Sequence, residues 1–472
     1  MTIQQLPLMK GVGKSHITAD YVDLLPVNML ATPKEVLNSA GYLRSFPGIE
    51  MAFSVNGISR GGHFNTKENL IYRVCGTKVY KGQSEVGNQS GVDRVSLAHS
   101  YISQAICSTG VVTMLRYDGT IKVFDNWTVS SGYTQYELGL ASDICRNRGR
   151  YIISKANSDS FFITDLEDES HPDKFSAEYR AESQPDGIIG VDAWRDYVLC
   201  FGSTTIEYFT LTGSSDASAA KYVSQPAYLV QKGIAGVHCK CRYADSHAII
   251  SNPATGAPSV YIVDSGRTVQ IATASIEKIL REYTAAEMSK AFMEAVRFDS
   301  HELLLIHLPE HVLVYDSSSS QSAPQWSILK SGLYDDVYRG CDLFWSGNDL
   351  TCGDKNDLFV GRLNFALSSQ YGEQQEHILY TPLFKADNAR VFDLELESST
   401  GVAQYADRLF ISATTDGIIY GQEKMIQQNA PFVYDQRVLQ RRIGRVRKNL
   451  GLKIRVITTT PVTLSGCSVR VE

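Results

Sequence analysis

The sequence predicts an all-β fold, a degenerate β-propeller with a helical insertion near residues 274–297. The first observation is that a strand, a tight turn and a second strand ending in an aromatic residue recur along the chain. The second is the interval between these aromatic residues, which runs from 38 to 61 residues. The third is an Asp-Gly pair in two of the turns, because glycine supplies the positive φ of a tight hairpin. The aromatic markers are Tyr80, Phe124, Phe162, Phe209, Tyr261, Tyr315, Phe359 and Tyr420.

A repeat of roughly 40 to 50 residues built from hairpins is typical of a β-propeller, in which each blade has about four strands. The unequal intervals between the markers indicate loops inserted between blades. Two β-sandwich domains are the alternative, since sandwiches also place short strands at regular spacing. A chain of 472 residues is long enough for either arrangement.

Residues 1–37 are expected to form an N-terminal arm. Residues 11–15, GVGKS, resemble the end of a phosphate-binding loop, but that loop needs a glycine at position 8, where this chain has Leu8. The loop must also follow a buried strand and open a helix, and neither is indicated here. The arm is therefore expected to be mobile, with Lys10 and Lys14 as candidate contacts to a partner.

Residues 38–435 are expected to form the propeller-like body. One stretch departs from the β pattern, because its apolar residues recur at helical spacing and share one face of a helix. These residues are Ile276, Ile279, Leu280 and Tyr283. We expect one or two helices over 274–297, packed against a blade.

Residues 436–472 are expected to form basic strands that close the fold or make an interface. From residue 437 onward the chain has nine basic residues and one acidic residue, whereas residues 1–436 carry a net charge of −14. Alternation of apolar and charged residues over 452–456 predicts a half-buried strand with its charges in solvent. The candidate interface residues are Arg437, Arg441, Arg442, Arg445, Arg447, Lys448, Lys453 and Arg455.

The sequence predicts no catalytic residues, no metal site and no cofactor. His301 and His307 would lie about 20 Å apart along an extended strand and could not share a metal ion, although His311 could approach His307 across a turn. Cys239 and Cys241 are the only close cysteine pair among nine scattered cysteines, so buried free thiols are expected. No segment is apolar over the length of a membrane span, and insertion into a membrane is not expected.

Several stretches carry a resemblance to a known family. They are residues 38–48, NSAGYLRSFPG, residues 295–308, AVRFDSHELLLIHL, residues 312–316, VLVYD, with Trp326 behind them, and residues 441–447, RRIGRVR. Their order and extent resemble the packaged DNA stabilization protein of short-tailed phages, the tail hub, over nearly the whole chain.

The resemblance implies a structural virion protein of the phage tail, assembled in the host cytoplasm. It implies a homo-oligomeric ring, a hexamer, below the portal and its adaptor ring, which closes the channel after packaging. The implied partners are other copies of the chain, the portal-adaptor tail protein, the tail needle, the tailspike and the double-stranded DNA that passes through the channel. The basic segment is assigned first to a protein interface with the adaptor and second to DNA.

Two other functions stay open on the residues alone. A propeller that binds a carbohydrate or host receptor would expose clustered tryptophans, and the chain has four, widely spaced. A nucleic-acid-binding protein would place aromatic residues among the basic ones, and there are none between Arg437 and Arg455.

Overall fold

The computed structural model describes most of the chain, and the account below refers to these residues. The described residues are 2–8, 11–17, 20–37, 39–125, 139–166, 169, 172–173, 178–214, 216, 219–320, 324–403 and 407–472. Lys10, a candidate contact residue, lies outside them.

Seven antiparallel sheets follow one another along the chain and form the blades of a propeller. Within blades 1 to 6 each strand pairs with the next, because residues with positive φ, such as Arg148, Asn157 and Arg195, allow the short turns between them. Blade 1 consists of Ser59–Asn65, Leu70–Cys75, Lys78–Lys81 and Ser84–Asn88; blade 2 of Ser96–His99, Ser103–Ser108, Val111–Arg116 and Ile121–Asp125; blade 3 of Ala141–Asn147, Arg150–Lys155, Ser160–Ile163 and Glu178–Arg180; and blade 4 of Ile188–Trp194, Tyr197–Gly202, Ile206–Leu211 and Tyr222–Ser224. Blade 5 consists of Lys240–Tyr243, Ser246–Ile250, Val260–Asp264 and Arg267–Gln270; blade 6 of Phe292–Phe298, His301–His307, Val312–Asp316, Gln325–Ser331 and the short Asp336–Val337; and blade 7 of Gly340–Ser346, Asp349–Asp354, Phe359–Asn364 and Gly48–Ser54.

Blade 7 closes the ring. Its fourth strand, Gly48–Ser54, comes from before blade 1 and pairs with Phe359–Asn364. Its first strand, Gly340–Ser346, lies against the first strand of blade 1, Ser59–Asn65. The two ends of the propeller are therefore joined by backbone hydrogen bonds between segments about three hundred residues apart in sequence.

The helical part of the chain is shorter than the sequence predicts. The helices are Ala274–Arg281 and Ala285–Met288, and residues Phe292–Phe298 are the first strand of blade 6. A capping box between Thr284 and Glu287 starts the second helix, and Ile276 and Leu280 are fully buried in the core of blades 4 to 6. Two short 3₁₀ turns, Pro226–Tyr228 and Pro253–Thr255, complete the helical content of the described residues. None of these helices has the length and apolar character needed to cross a bilayer.

A β-sandwich follows the propeller. One sheet contains Met29–Thr32, Tyr42–Ser45, Thr463–Val471, Arg390–Ser398 and Val438–Arg445, with Thr2–Leu6 also paired to Thr463–Val471. The other contains Gln375–Tyr380, Asn449–Thr458, Asp407–Thr414 and Lys424–Gln428, with Phe384–Lys385 also paired to Asn449–Thr458. Alternate apolar residues of both sheets fill the space between them, among them Leu394, Leu396, Leu409, Ile411, Ile454 and Val456.

The chain therefore holds one propeller and one sandwich, and this corrects the sequence analysis at three points. The alternative of two sandwiches is wrong. The repeat marked by Tyr420 belongs to the sandwich, where Asp407–Thr414 pairs with Lys424–Gln428 and with Asn449–Thr458. It was assigned to the propeller because a hairpin has the same local pattern in either fold. The expected boundaries at 37 and 435 do not match the sheets, since strands on both sides of each boundary pair within the sandwich.

The described residues of the N-terminal segment pair with other strands, so the expectation of a mobile arm is wrong for them. Thr2–Leu6 pairs along its length with Cys467 to Val471, and Gly11–Lys14 forms a hairpin with Tyr21–Leu24. These backbone groups have partners elsewhere in the chain, which an isolated arm would lack.

Residues 26–28 join the propeller to the sandwich. The Val27 N–H donates to the carbonyl of Ile378 in the sandwich at 2.8 Å, and the next N–H, of Asn28, donates to Ile328 in blade 6 at 2.8 Å. One short segment thus bonds a strand of each domain, which fixes their relative position.

The Asn28 side chain completes this junction. Its Oδ1 accepts from the Lys330 N–H at 2.9 Å, and its Nδ2 donates to the Glu376 carbonyl at 3.0 Å. The residue is buried and has a φ of 55°, a left-handed conformation that asparagine tolerates better than most residues. His377 donates from Nδ1 to the Asn28 carbonyl at 3.0 Å, and burial lowers the pKa of His377 to about 4.

Candidate partner interface

The eight basic residues proposed from the sequence fall into three groups in the structure. Val438–Arg445 is an end strand of one sandwich sheet, and Asn449–Thr458 lies inside the other, so the short connection at 446–448 crosses between the sheets. Their charged side chains consequently face different surroundings.

Five basic side chains project into solvent from the strand end and the crossing. Within the described part of the chain they form no ion pair, and no acidic residue interrupts them between positions 441 and 448. A bulge opposite Phe392 shifts the register of this strand and places Arg442 at a φ of 58°, which turns the strand edge away from further pairing. The five residues are Arg441, Arg442, Arg445, Arg447 and Lys448.

Arg437 forms a bidentate ion pair with Glu395 of the neighbouring strand, at 2.6 and 2.7 Å. The guanidinium lowers the pKa of the Glu395 carboxyl. The pair is exposed, so it contributes little to stability but reduces the charge that Arg437 offers to a partner.

Lys453 and Arg455 face the chain's own acidic residues. Arg455 Nε lies 3.1 Å from Glu423, its Nη1 lies 3.4 Å from Glu376, and Lys453 Nζ lies 3.9 Å from Glu423. Glu376 also binds Lys330 of blade 6. This network lines a cleft of about 670 Å³ between blade 6 and the sandwich. Lys453 and Arg455 are therefore paired with acidic residues of the sandwich itself, and of these Glu376 also pairs with the propeller, so the two basic side chains are less available to a partner.

Lys14 is also held within the chain. Its N–H donates to the Gly417 carbonyl at 2.9 Å, and its Nζ lies 5.7 Å from the centre of the Tyr21 ring. The GVGKS stretch is part of a hairpin and does not precede a helix. The structure therefore gives Lys14 an intramolecular role in packing the N-terminal hairpin against the sandwich.

An exposed aromatic loop lies beside the basic strand and was missed in the sequence. Residues 430–435 connect Lys424–Gln428 to Val438–Arg445, and Phe432 and Tyr434 are 83% and 72% exposed. The basic segment from Arg437 to Arg455 contains no aromatic residue, but this loop ends two positions before that segment begins. The signal that could have found it is the run Phe-Val-Tyr after Pro431, an apolar group in a turn.

The buried charges of the propeller connect its blades. Asp342 of blade 7 accepts from Ser59 at 2.7 Å and pairs with Arg94, while its carbonyl accepts from Arg73 at 2.7 Å. These contacts cross from blade 7 to blade 1 and reinforce the ring closure. Nearby, burial and the charge of Asp342 raise the pKa of Glu294 to about 8.

The three histidines considered as ligands each have a separate partner. His301 lies 2.6 Å from Asp316, His307 lies 2.6 Å from Glu294, and His311 lies 2.5 Å from the Tyr283 hydroxyl. Among the residues that the structure describes, no three His, Cys, Asp or Glu side chains are arranged to hold a metal ion. The nine cysteines are free thiols.

The propeller is closed and is joined rigidly to the sandwich. The sandwich presents unpaired charge and exposed aromatic rings at its outer edge. This combination is that of a structural assembly protein. Two family models match the chain: "Bacteriophage P22 Gp10, beta-propeller" over residues 4–368 and "Bacteriophage P22 Gp10, beta-sandwich" over residues 376–472. The tail hub protein gp10 of Salmonella phage P22 is 66% identical over 472 residues, which is 100% of both chains.

The chain belongs to the P22 Gp10 family of phage tail hub proteins. This is a family of tail hub proteins of the virion, as the sequence predicted. Both the propeller prediction and the resemblance to the packaged DNA stabilization protein are confirmed.

Two solved structures with weak similarity to the chain are, by their description, an extracellular domain and a propeller. The extracellular domain of a putative hybrid two-component system from B. thetaiotaomicron has 8% identity and a TM-score of 0.42, with 72% of this chain and 44% of that chain covered. The Dos1 propeller has 11% identity and a TM-score of 0.38, with 79% and 95% covered. The family assignment rests on the sequence matches.

Proposed function

We propose that this tail hub protein assembles as a six-membered ring below the portal and its adaptor ring after DNA packaging. The ring closes the exit channel, retains the double-stranded DNA, and carries the tail needle and the tailspikes. Assembly takes place in the host cytoplasm, before the virion is released. The observation that carries the adaptor contact is the set of five unpaired basic side chains from Arg441 to Lys448, on a chain whose net charge is −6.

A rigid subunit, built on a closed propeller, suits this role. Packaged DNA presses outward, so retention depends on a steric barrier and on the strength of the interfaces between proteins. The propeller is closed by backbone pairing, and the junction at Val27 and Asn28 fixes the sandwich to it. Such a body transmits force between its partners without changing shape.

The charge distribution favours a protein partner for the basic edge. Residues 1–436 carry a net charge of −14, which is compatible with a channel wall that does not hold the phosphates of DNA during ejection. The five basic residues are confined to one end of the sandwich, where they suit an acidic surface on the adaptor ring.

The first experiment measures the mass of the purified protein alone and mixed with portal-adaptor complexes, by native mass spectrometry at moderate and high salt. Stable association with the complexes, accompanied by ring formation, supports the proposal. Failure to associate, together with salt-sensitive binding to duplex DNA, contradicts it and assigns the basic edge to nucleic acid instead.

Charge-reversed variants test the interface. Arg441→Glu with Arg442→Glu should weaken binding to the portal-adaptor complexes and reduce its salt dependence. The matched control is Arg267→Glu with Lys290→Glu, which makes the same change in charge at exposed positions on the propeller side of the molecule. Equal loss in both double variants would indicate a general effect of net charge and would refute a specific basic interface.

A further inference from the structure

The aromatic loop, residues 430–435, is an exposed apolar surface that the fold holds in place. Phe432 has a φ of 61°, a conformation that costs a bulky side chain free energy. Its N–H donates to the Gly401 carbonyl at 3.1 Å, and the Val433 N–H donates to Ala430 at 3.2 Å. The loop thus keeps a strained backbone that points a large apolar ring into solvent.

Side chains outside the loop stabilise this conformation. Gln436 accepts from the Ala430 N–H at 2.8 Å and donates to the Gln427 carbonyl at 3.2 Å, which bridges the base of the loop. One edge of the Tyr434 ring packs on Gly401, where a Cβ would come within 2.6 Å of it. A preorganised loop loses less conformational entropy when a partner binds.

Basic groups surround the loop on the same side of the sandwich. The loop connects the end strands of the two sheets, and Lys424 on one of them donates to the Arg442 carbonyl on the other at 3.3 Å. Arg408 lies opposite Gln427 and is exposed. The loop carries one acidic residue, Asp435, and Arg437 beside it is paired with Glu395. Arg408, Lys424, Arg441 and Arg442 are exposed and form no ion pair within the described part of the chain. The aromatic rings therefore lie beside unpaired basic side chains.

This combination suits a protein better than duplex DNA. The bases of a duplex are stacked on each other, so protruding Phe and Tyr rings would face phosphates and lose apolar contacts. Aromatic anchors within a rim of arginine are the usual composition of the energetically dominant residues in protein interfaces.

We infer that the aromatic loop is the apolar anchor of the adaptor contact, with Phe432 and Tyr434 entering a pocket of the adaptor protein whose rim carries carboxylates. The inference rests on the proposed function, since it specifies the partner surface that the basic edge meets. Arg441 and Arg442 then face the carboxylates of the rim, while the two rings supply most of the binding free energy.

The test compares full-length variants for binding to portal-adaptor complexes by biolayer interferometry. Phe432→Asn removes the ring but keeps a residue that favours positive φ, so the loop retains its conformation. We expect binding to weaken roughly 30-fold, as for truncation of a dominant interface residue, while the urea midpoint stays equal to or above that of the unchanged protein. Tyr434→Ala should weaken binding similarly. Tyr101→Ala, a control on blade 2 that is 71% exposed in the unchanged protein, should bind normally.

The possible failures are distinguishable. Absence of binding by the unchanged protein would refute the proposed function, and the inference with it. Normal binding by Phe432→Asn, with binding by the unchanged protein intact, would refute only the inference. If Phe432→Asn binds the complexes normally but shifts the mass of the free protein, the loop contacts a second copy of the chain and the adaptor is not its partner.

Discussion

Replacing Asn28 should loosen the junction between propeller and sandwich. In Asn28→Ala, the Lys330 N–H and the Glu376 carbonyl both lose their partner, and both lie in a buried environment. Each unsatisfied buried group costs about 1–3 kcal/mol. Alanine at a φ of 55° adds about 1 kcal/mol of backbone strain. We therefore expect a loss of about 3–7 kcal/mol in the free energy of unfolding.

Asn28→Gly separates the two contributions, because glycine adopts positive φ freely but also lacks the side-chain bonds. It should lose about 2–6 kcal/mol, from the hydrogen bonds alone, and about 1 kcal/mol less than Asn28→Ala. Urea denaturation gives the free energies, and hydrogen exchange followed by mass spectrometry reports on the peptide that contains the Lys330 amide.

Faster exchange at Lys330 with unchanged exchange in blade 3 would show that the effect is local to the junction. A loss below about 1 kcal/mol in Asn28→Ala, or unchanged exchange at Lys330, would refute the assignment of Asn28 as the residue that holds the domains together.

Three further predictions concern single residues. His377 is neutral when folded, with its pKa lowered to about 4, so as pH falls from 6.5 towards 4 the unfolded chain takes up a proton that the folded chain does not. His377 should contribute about 3 kcal/mol to the fall in stability over that range, and the fall measured by urea denaturation should be smaller by that amount in His377→Gln. Gly233→Ala should destabilise by more than about 3 kcal/mol, because the added Cβ would lie 2.0 Å from the Ser203 backbone, and soluble yield and melting temperature check this. Arg437→Ala should lose less than about 1 kcal/mol, because its pair with Glu395 is exposed; a larger loss in urea denaturation would contradict that reasoning.

The propeller could be predicted because its information is local. Each hairpin carries its own turn residues and aromatic marker, as at Asp118 and Gly119, so the repeat is visible without knowledge of distant partners. The same locality explains why the hairpin that begins with Asp407–Thr414 was assigned to the propeller. Its residues specify a hairpin, and only pairing with Asn449–Thr458 places that hairpin in a sandwich.

The N-terminal strands could not be predicted for the opposite reason. The segment of residues 2–6 is short and mostly polar. It forms a strand because its backbone pairs with that of Thr463–Val471. Asn28 likewise looks ordinary in the sequence, although both of its side-chain hydrogen bonds are made to residues about three hundred positions or more away.

The candidate interface stays a prediction. The charge run indicated a basic edge, and in the structure five of its eight side chains are exposed and form no ion pair among the described residues. Charge counting could not show that Lys453 and Arg455 face Glu423, because that contact depends on strand order. The aromatic loop precedes the segment from Arg437 to Arg455 that the sequence analysis considered, although it is adjacent to the basic strand in the chain.

Pairing of Thr2–Leu6 with Thr463–Val471 has a consequence for synthesis of the protein. Ribosomes add about 5–20 residues per second, so the earliest strand waits roughly 20–90 seconds for its partner. Completion of blade 7 is delayed in the same way, since Gly48–Ser54 pairs with Phe359–Asn364, which is synthesised later. During that interval strand edges later covered in the finished molecule are open to other nascent chains. Host chaperones that shield these edges would then determine how much of the protein reaches the assembling tail.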